Sequence, residues 1–238
     1  MSSKKRRVET NDIQPVESTK GKISTISYIK PKTINQSLFV KSIKRNTITI
    51  GFGCAGTGKS LIALHEAVKL INSESSEINK IFYIRANVSM SQEKDLGFLP
   101  GGLIEKILPL AYPVLDNLIE FIEEGTAKYL IESGRIEILP VSMVRGRSFK
   151  NAIVIVDEAQ NCIGSTIKAL LTRISQNSKM ILIGDIKQCD LDIKYGLNNG
   201  LLDAVHRLQG VEDVGIVQFN RQDIQRHTII SHILERYE

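Results

Sequence analysis

Eight residues, Gly53-Cys54-Ala55-Gly56-Thr57-Gly58-Lys59-Ser60, constrain this chain more than any other stretch. They stand between a strand-like run, Thr47 to Phe52, and a run with helical spacing, Leu61 to Val68. A glycine-rich turn in that setting predicts strand, phosphate-binding loop and helix. Glycines let backbone N–H groups curl around an anion with no Cβ in the way. The helix that follows points the positive end of its dipole at the same place. In such a loop Lys59 reaches the β- and γ-phosphates and the Ser60 hydroxyl ligates Mg²⁺. The ligand expected at Gly53 to Ser60 is a nucleoside triphosphate.

The chain of 238 residues suits one α/β domain, and its 42% hydrophobic and 24% charged content is ordinary for a globular protein. The net charge of +5 is uneven: residues 1–35 hold eight basic and three acidic side chains, the remainder 23 of each sign. A basic patch on the folded part therefore does not follow from the net charge, and any nucleic-acid contact must be local or lie in the tail. Residues 1–30 read as a flexible basic tail, with Lys4 to Arg7 a nucleic-acid arm, a localisation signal or a merely solvated terminus. No apolar stretch follows that cluster, so no signal peptide is expected. The greasiest run, Leu103 to Ile122, carries Glu105, Lys106, Asp116 and Glu120 and reads as amphipathic helix rather than membrane span. Three cysteines, 54, 162 and 189, match no zinc spacing and suggest a reducing, cytoplasmic setting. Each is read as a small buried hydrophobe or as a thiol beside a motif.

Strands are expected at 47–52, 80–85, 136–139, 152–156, 179–183 and 215–219. Helices are expected at 36–43, 61–68, 103–124 (interrupted at Pro109 and Pro113), 126–133, 165–175, 201–208 and near the C-terminus. Alternation of this kind predicts an α/β fold, a mostly parallel sheet flanked by helices. Ala152 to Val156 is apolar throughout, as a strand covered on both faces should be. It delivers Asp157-Glu158-Ala159-Gln160-Asn161 at its carboxyl end, where ligands of such sheets bind.

An apolar strand ending in Asp-Glu is the natural partner of a phosphate loop. Asp157 would organise the Mg²⁺ shell and Glu158 would polarise an attacking water. Gly184-Asp185-Ile186-Lys187-Gln188 follows a second buried strand, and Gln188 can orient water or report the γ-phosphate.

Together these motifs resemble the PhoH family, single-domain relatives of the first RecA-like domain of superfamily 1 helicases. The resemblance covers Gln36 to the C-terminus. It rests on Gly53 to Lys59, Leu96-Gly97-Phe98-Leu99-Pro100-Gly101, Arg145-Gly146-Arg147, Asp157 to Asn161, Leu171-Thr172-Arg173-Ile174, Gly184-Asp185 through Asp190-Leu191, and Asp223 through Arg226-His227. Departures are Ser60 for Thr, Gly102 for Asp, Ala86 for Pro and Ser175 for Gly; none removes a phosphate or metal ligand. The resemblance implies a P-loop NTPase that binds ATP with Mg²⁺ and hydrolyses it, linked to RNA or single-stranded DNA. It also implies that Gln36 contacts adenine and that Arg226 is an arginine finger. Arg145, Arg147 and Arg173 are left between nucleotide and RNA. Since no second RecA-like domain is evident, a homo-oligomer, as in a ring, would supply the missing half, with Arg226 acting in trans. The domain is placed at residues 31–238. The rival readings are a non-hydrolysing nucleotide switch, an RNA-binding module gated by nucleotide, and a P-loop kinase.

Overall fold

The computed structural model describes residues 23, 25–86, 103–144, 146–191, 199–225 and 236. Helix α1 (Ile34–Arg45) is capped by Thr33, whose hydroxyl accepts the Gln36 N–H at 3.2 Å, and Lys44 and Arg45 occupy its last turn, where the dipole favours cations. Next come β1 (Ile48–Gly53), α2 (Lys59–Asn72) and β2 (Lys80–Arg85). Helices α3 (Leu103–Ile119) and α4 (Glu124–Glu132) lead to β3 (Ile136–Pro140) and β4 (Ala152–Asp157). The described part closes with α5 (Gly164–Leu171), β5 (Lys179–Gly184), α6 (Gly200–Leu208) and β6 (Val214–Phe219).

The six strands lie in the order β3-β2-β4-β5-β1-β6, and every pairing is parallel. The expected α/β architecture is present. The apolar run of β4 is explained by its two faces. Ile153 and Ile155 enter the core shared with α1 to α4, while Ala152, Val154 and Val156 enter the one shared with α5 and α6. From neighbouring strands the chain departs in opposite directions, from β1 toward β2 through α2 and from β5 toward β6 through α6. Such a reversal opens a crevice at the carboxyl edge of the sheet.

Three expectations are corrected. Helix α3 runs unbroken through Pro109 and Pro113. Its buried positions Leu110, Val114 and Leu118 recur every fourth residue, and that packing outweighs the backbone bonds the prolines forfeit. Helix α5 stops at Leu171 rather than Ser175. Instead, the Arg173 carbonyl accepts the Phe149 N–H and Ser175 N–H donates to the Phe149 carbonyl, both at 2.9 Å. Ahead of α1, the described residues lie on the domain rather than apart from it. Ile23 is buried and donates its N–H to Asn72 Oδ1 at 2.8 Å, and Ser27 donates to the Phe121 carbonyl at 2.8 Å. The expected terminal helix and the Leu96–Gly101 motif lie outside the described residues. Among those described, no helix is long and apolar enough to cross a membrane.

Helix α1 is held on the sheet by Phe39, fully buried, its ring meeting Phe219 edge-on at 5.5 Å. Phe39→Ala is expected to lower unfolding free energy by about 3–5 kcal/mol, read as a reduced midpoint in urea with an unchanged slope.

Candidate phosphate and metal site

The loop between β1 and α2 is shaped by its glycines. Gly53 has φ 122°, and a Cβ there would fall 2.0 Å from the Phe219 carbonyl oxygen, so the neighbouring strand admits only glycine. Gly56 and Gly58 are also left-handed, at φ 73° and 80°. The curl is tied from three sides. Gln36 Nε2 donates to the Thr57 carbonyl at 3.0 Å, Gln225 N–H to the Gly56 carbonyl at 2.9 Å, and Ala55 N–H to Asp185 Oδ2 at 3.2 Å. Inside it, Lys59 Nζ donates to the carbonyls of Gly53 at 2.8 Å and Cys54 at 2.7 Å and to Thr57 Oγ1 at 3.2 Å. Burial pushes this ammonium below the ordinary lysine range, and the Asp185 and Asp157 carboxylates oppose that push. It is a dehydrated cation held close to exchangeable carbonyl partners.

At the end of β4, Asp157 meets the first turn of α2. Ser60 Oγ donates to Asp157 Oδ1 at 3.3 Å, and the Glu158 N–H reaches the same oxygen at 3.0 Å. Asp157 Oδ2 accepts a hydrogen bond from the Tyr83 hydroxyl. Burial, then the Asp157 charge, drives the Tyr83 phenol well above its ordinary value, so it keeps its proton and remains a donor. Mg²⁺ needs only one or two protein oxygens when phosphates and waters supply the rest, and Ser60 with Asp157 fits that demand. Among the described residues no group of three or more His, Cys, Asp or Glu could hold a metal, so an all-protein cage is not what the site offers.

Beyond β2, β4 and β5 opens a polar cleft of about 410 Å³, lined by Arg85, Ala86, Glu158, Gln160, Asn161, Gln188 and Asp190. Glu158 has left-handed backbone at φ 55°, sparsely populated for a residue with a Cβ and characteristic of sites held by their surroundings. Those surroundings are Gln160 Nε2, which donates to Glu158 Oε2 at 2.7 Å, and Arg85, 4.0 Å from Oε1. The buried Gln160 carboxamide also donates to the Gln188 carbonyl at 3.2 Å and accepts the Asp185 N–H at 3.1 Å. It therefore joins the loop after β4 to the loop after β5.

The structure thus brings Asp157 to the Gly53–Ser60 loop, and it gathers Glu158 and Gln188 along the adjoining cleft. Gln36 reaches the loop as well, although its amide is engaged at both ends, with Oε1 accepting Lys32 N–H at 2.6 Å. Arg147 stands elsewhere, paired with Glu137 of β3 at 2.6 Å. Arg145, Arg226 and His227 lie outside the described residues. Tyr83 and Arg85 are not among the residues expected at the site, and Gln160 is so only as part of the Asp157–Asn161 motif: Tyr83 reads as one more apolar-face residue of a strand, and its hydroxyl is the available signal. All three cysteines are free, and burial raises the Cys162 thiol to about 12, whereas Cys54 and Cys189 are half-exposed. At pH 8 a disulfide reagent should therefore modify two thiols promptly and the third only after unfolding; prompt modification of all three would contradict this burial.

A family model described as PhoH-like protein matches residues 28–238. A PhoH-like protein of Synechocystis sp. is 40% identical over 211 residues, 88% of this chain and 62% of the relative. A PhoH-like protein of Bacillus subtilis is 37% identical over 210 residues, 88% and 64% respectively. The Escherichia coli Protein PhoH is 36% identical over 201 residues, 84% and 55%. The chain spans 55–64% of the length of these three relatives. With the parallel sheet, the phosphate loop and a match over most of its length, the chain has the P-loop NTPase fold and belongs to the PhoH-like protein family.

Proposed function

We propose that the protein is an Mg²⁺-dependent ATPase whose turnover serves RNA or single-stranded DNA metabolism. The observation that carries this reading is the contact of Ser60 with Asp157, at the same sheet edge as the Glu158–Gln160–Gln188 cluster. Mg²⁺ would be held by Ser60 and Asp157, and when bound it neutralises charge on the β- and γ-phosphates. Lys59 gives up the Gly53 and Cys54 carbonyls for phosphate oxygens. Glu158, its carboxylate fixed by Gln160 and Arg85, polarises the attacking water. Gln188 shares the cleft with Glu158 and responds to the γ-phosphate, while Gln36 links the loop to the adenine side.

The activity is assigned to one domain over residues 31–238 together with the described stretch ahead of α1 that packs on it, working in the cytoplasm. A homo-oligomer, such as a ring, completes the site when Arg226 enters from a neighbouring subunit.

Phosphate release tests the reaction. Lys59→Ala and Glu158→Gln should each lower ATP turnover by about 10²-fold or more, with Glu158→Gln still binding ATP. Unchanged turnover in Glu158→Gln would leave a non-hydrolysing switch. Single-stranded RNA or DNA should stimulate the wild type; if neither changes turnover or ATP affinity, the nucleic-acid link is wrong. Arg226→Ala alone should lose roughly 10³-fold or more. Mixing it with Lys59→Ala should restore part of the activity if the arginine acts across subunits, and no recovery contradicts action in trans.

A further inference from the structure

Tyr83 is 1% exposed in the middle of β2. Its ring belongs to the core that holds Ile81, Ile155 and Ile181, where a phenylalanine would pack as well. The hydroxyl is what the core does not require, and burying it without a partner would cost about 1–3 kcal/mol. It is satisfied by Asp157 Oδ2. Register explains the reach. Tyr83 pairs with Ile155, and Asp157, two residues further along β4, falls on the same face. The two oxygens of Asp157 therefore have separate duties: Oδ2 is taken by the phenol, while Oδ1 faces Ser60 and the Glu158 N–H.

We propose that Tyr83 is a positioning residue that makes Asp157 a one-oxygen metal ligand and thereby sets the site's preference for Mg²⁺ over Ca²⁺. This rests on the assignment of Ser60 and Asp157 to the metal. Mg²⁺ demands a compact octahedron and is satisfied by a single carboxylate oxygen. Ca²⁺ takes six to eight oxygens at about 2.3–2.6 Å and readily accepts both oxygens of one carboxylate. Chelation of one ion by both oxygens would require Oδ2 to share with the ion the lone pairs that hold the buried phenol, which weakens the second Ca²⁺ contact. Removing an outer partner of a ligand typically costs about 10–100-fold in metal affinity. For Ca²⁺ part of that loss is returned, because the freed oxygen becomes available to the larger ion.

The test is binding of a fluorescent ATP analogue to the full chain, titrated separately with MgCl₂ and CaCl₂, for wild type, Tyr83→Phe and Asp157→Asn. Tyr83→Phe keeps the ring and its packing. It should raise the half-saturating Mg²⁺ about 10-fold and the half-saturating Ca²⁺ by clearly less, narrowing the preference by at least about threefold. A Mg²⁺ requirement equal to wild type, or equal shifts for both ions, overturns the role of Tyr83. The underlying assignment fails in a different way: wild-type binding would then be indifferent to both ions and to Asp157→Asn.

Discussion

The carboxylate of Asp157 is where separate parts of the chain meet, and the rest of the site depends on it being held there. One oxygen receives a hydroxyl from 97 residues earlier, at the start of α2, and the other a hydroxyl from 74 residues earlier, in β2. Neither contact is local. Both follow from the parallel pairing of β4 with β2 and from α2 lying across the same face of the sheet. A one-residue slip of that register would turn Asp157 to the other face and leave Ser60 and Tyr83 with no acceptor. The sheet is therefore part of the chemistry, because it sets which oxygen faces which group.

A second constraint comes from the loop itself. Lys59 is a buried cation, tolerated because two carbonyls and a hydroxyl solvate it and two aspartates lie near. Exchanging those carbonyls for phosphate oxygens keeps the cation solvated and adds opposite charge. The close approach of Gly53 to the Phe219 carbonyl fixes the base of the loop on β6. Gln225, just beyond that strand, bonds the loop's tip. The phosphate loop is thus braced by residues from the far end of the chain, well outside the motif that announces it.

Much of this was legible in the residues, for identifiable reasons. The strands with apolar character on both faces, β4 and β5, declare themselves because burial on two sides leaves no polar positions. The loop and Asp157 declare themselves because their residue types serve one chemistry at a fixed place in a strand–turn–helix. What stayed hidden was set by tertiary packing. Pro109 and Pro113 signal a break, yet the buried stripe of α3 carries the helix through both. Tyr83 fills a core position like its neighbours, and only the third dimension shows its hydroxyl on Asp157. Gln160 sits two residues from Glu158 in an unremarkable turn, and its bridge to Asp185 and Gln188 spans loops that sequence spacing cannot join. Arg147, open in the sequence between nucleotide and RNA, pairs with Glu137 of β3 and is not among the residues lining the cleft.

The central claim is that three separate stretches surround one magnesium-bound triphosphate. Hydrogen exchange, followed by mass spectrometry with and without Mg²⁺ and a non-hydrolysable ATP analogue, tests it directly. The account predicts slowed exchange at 53–60, at 157–161 and at 184–190 together, appearing over the same range of ligand concentration. Protection confined to 53–60, with the other two stretches unchanged at saturating ligand, would contradict it.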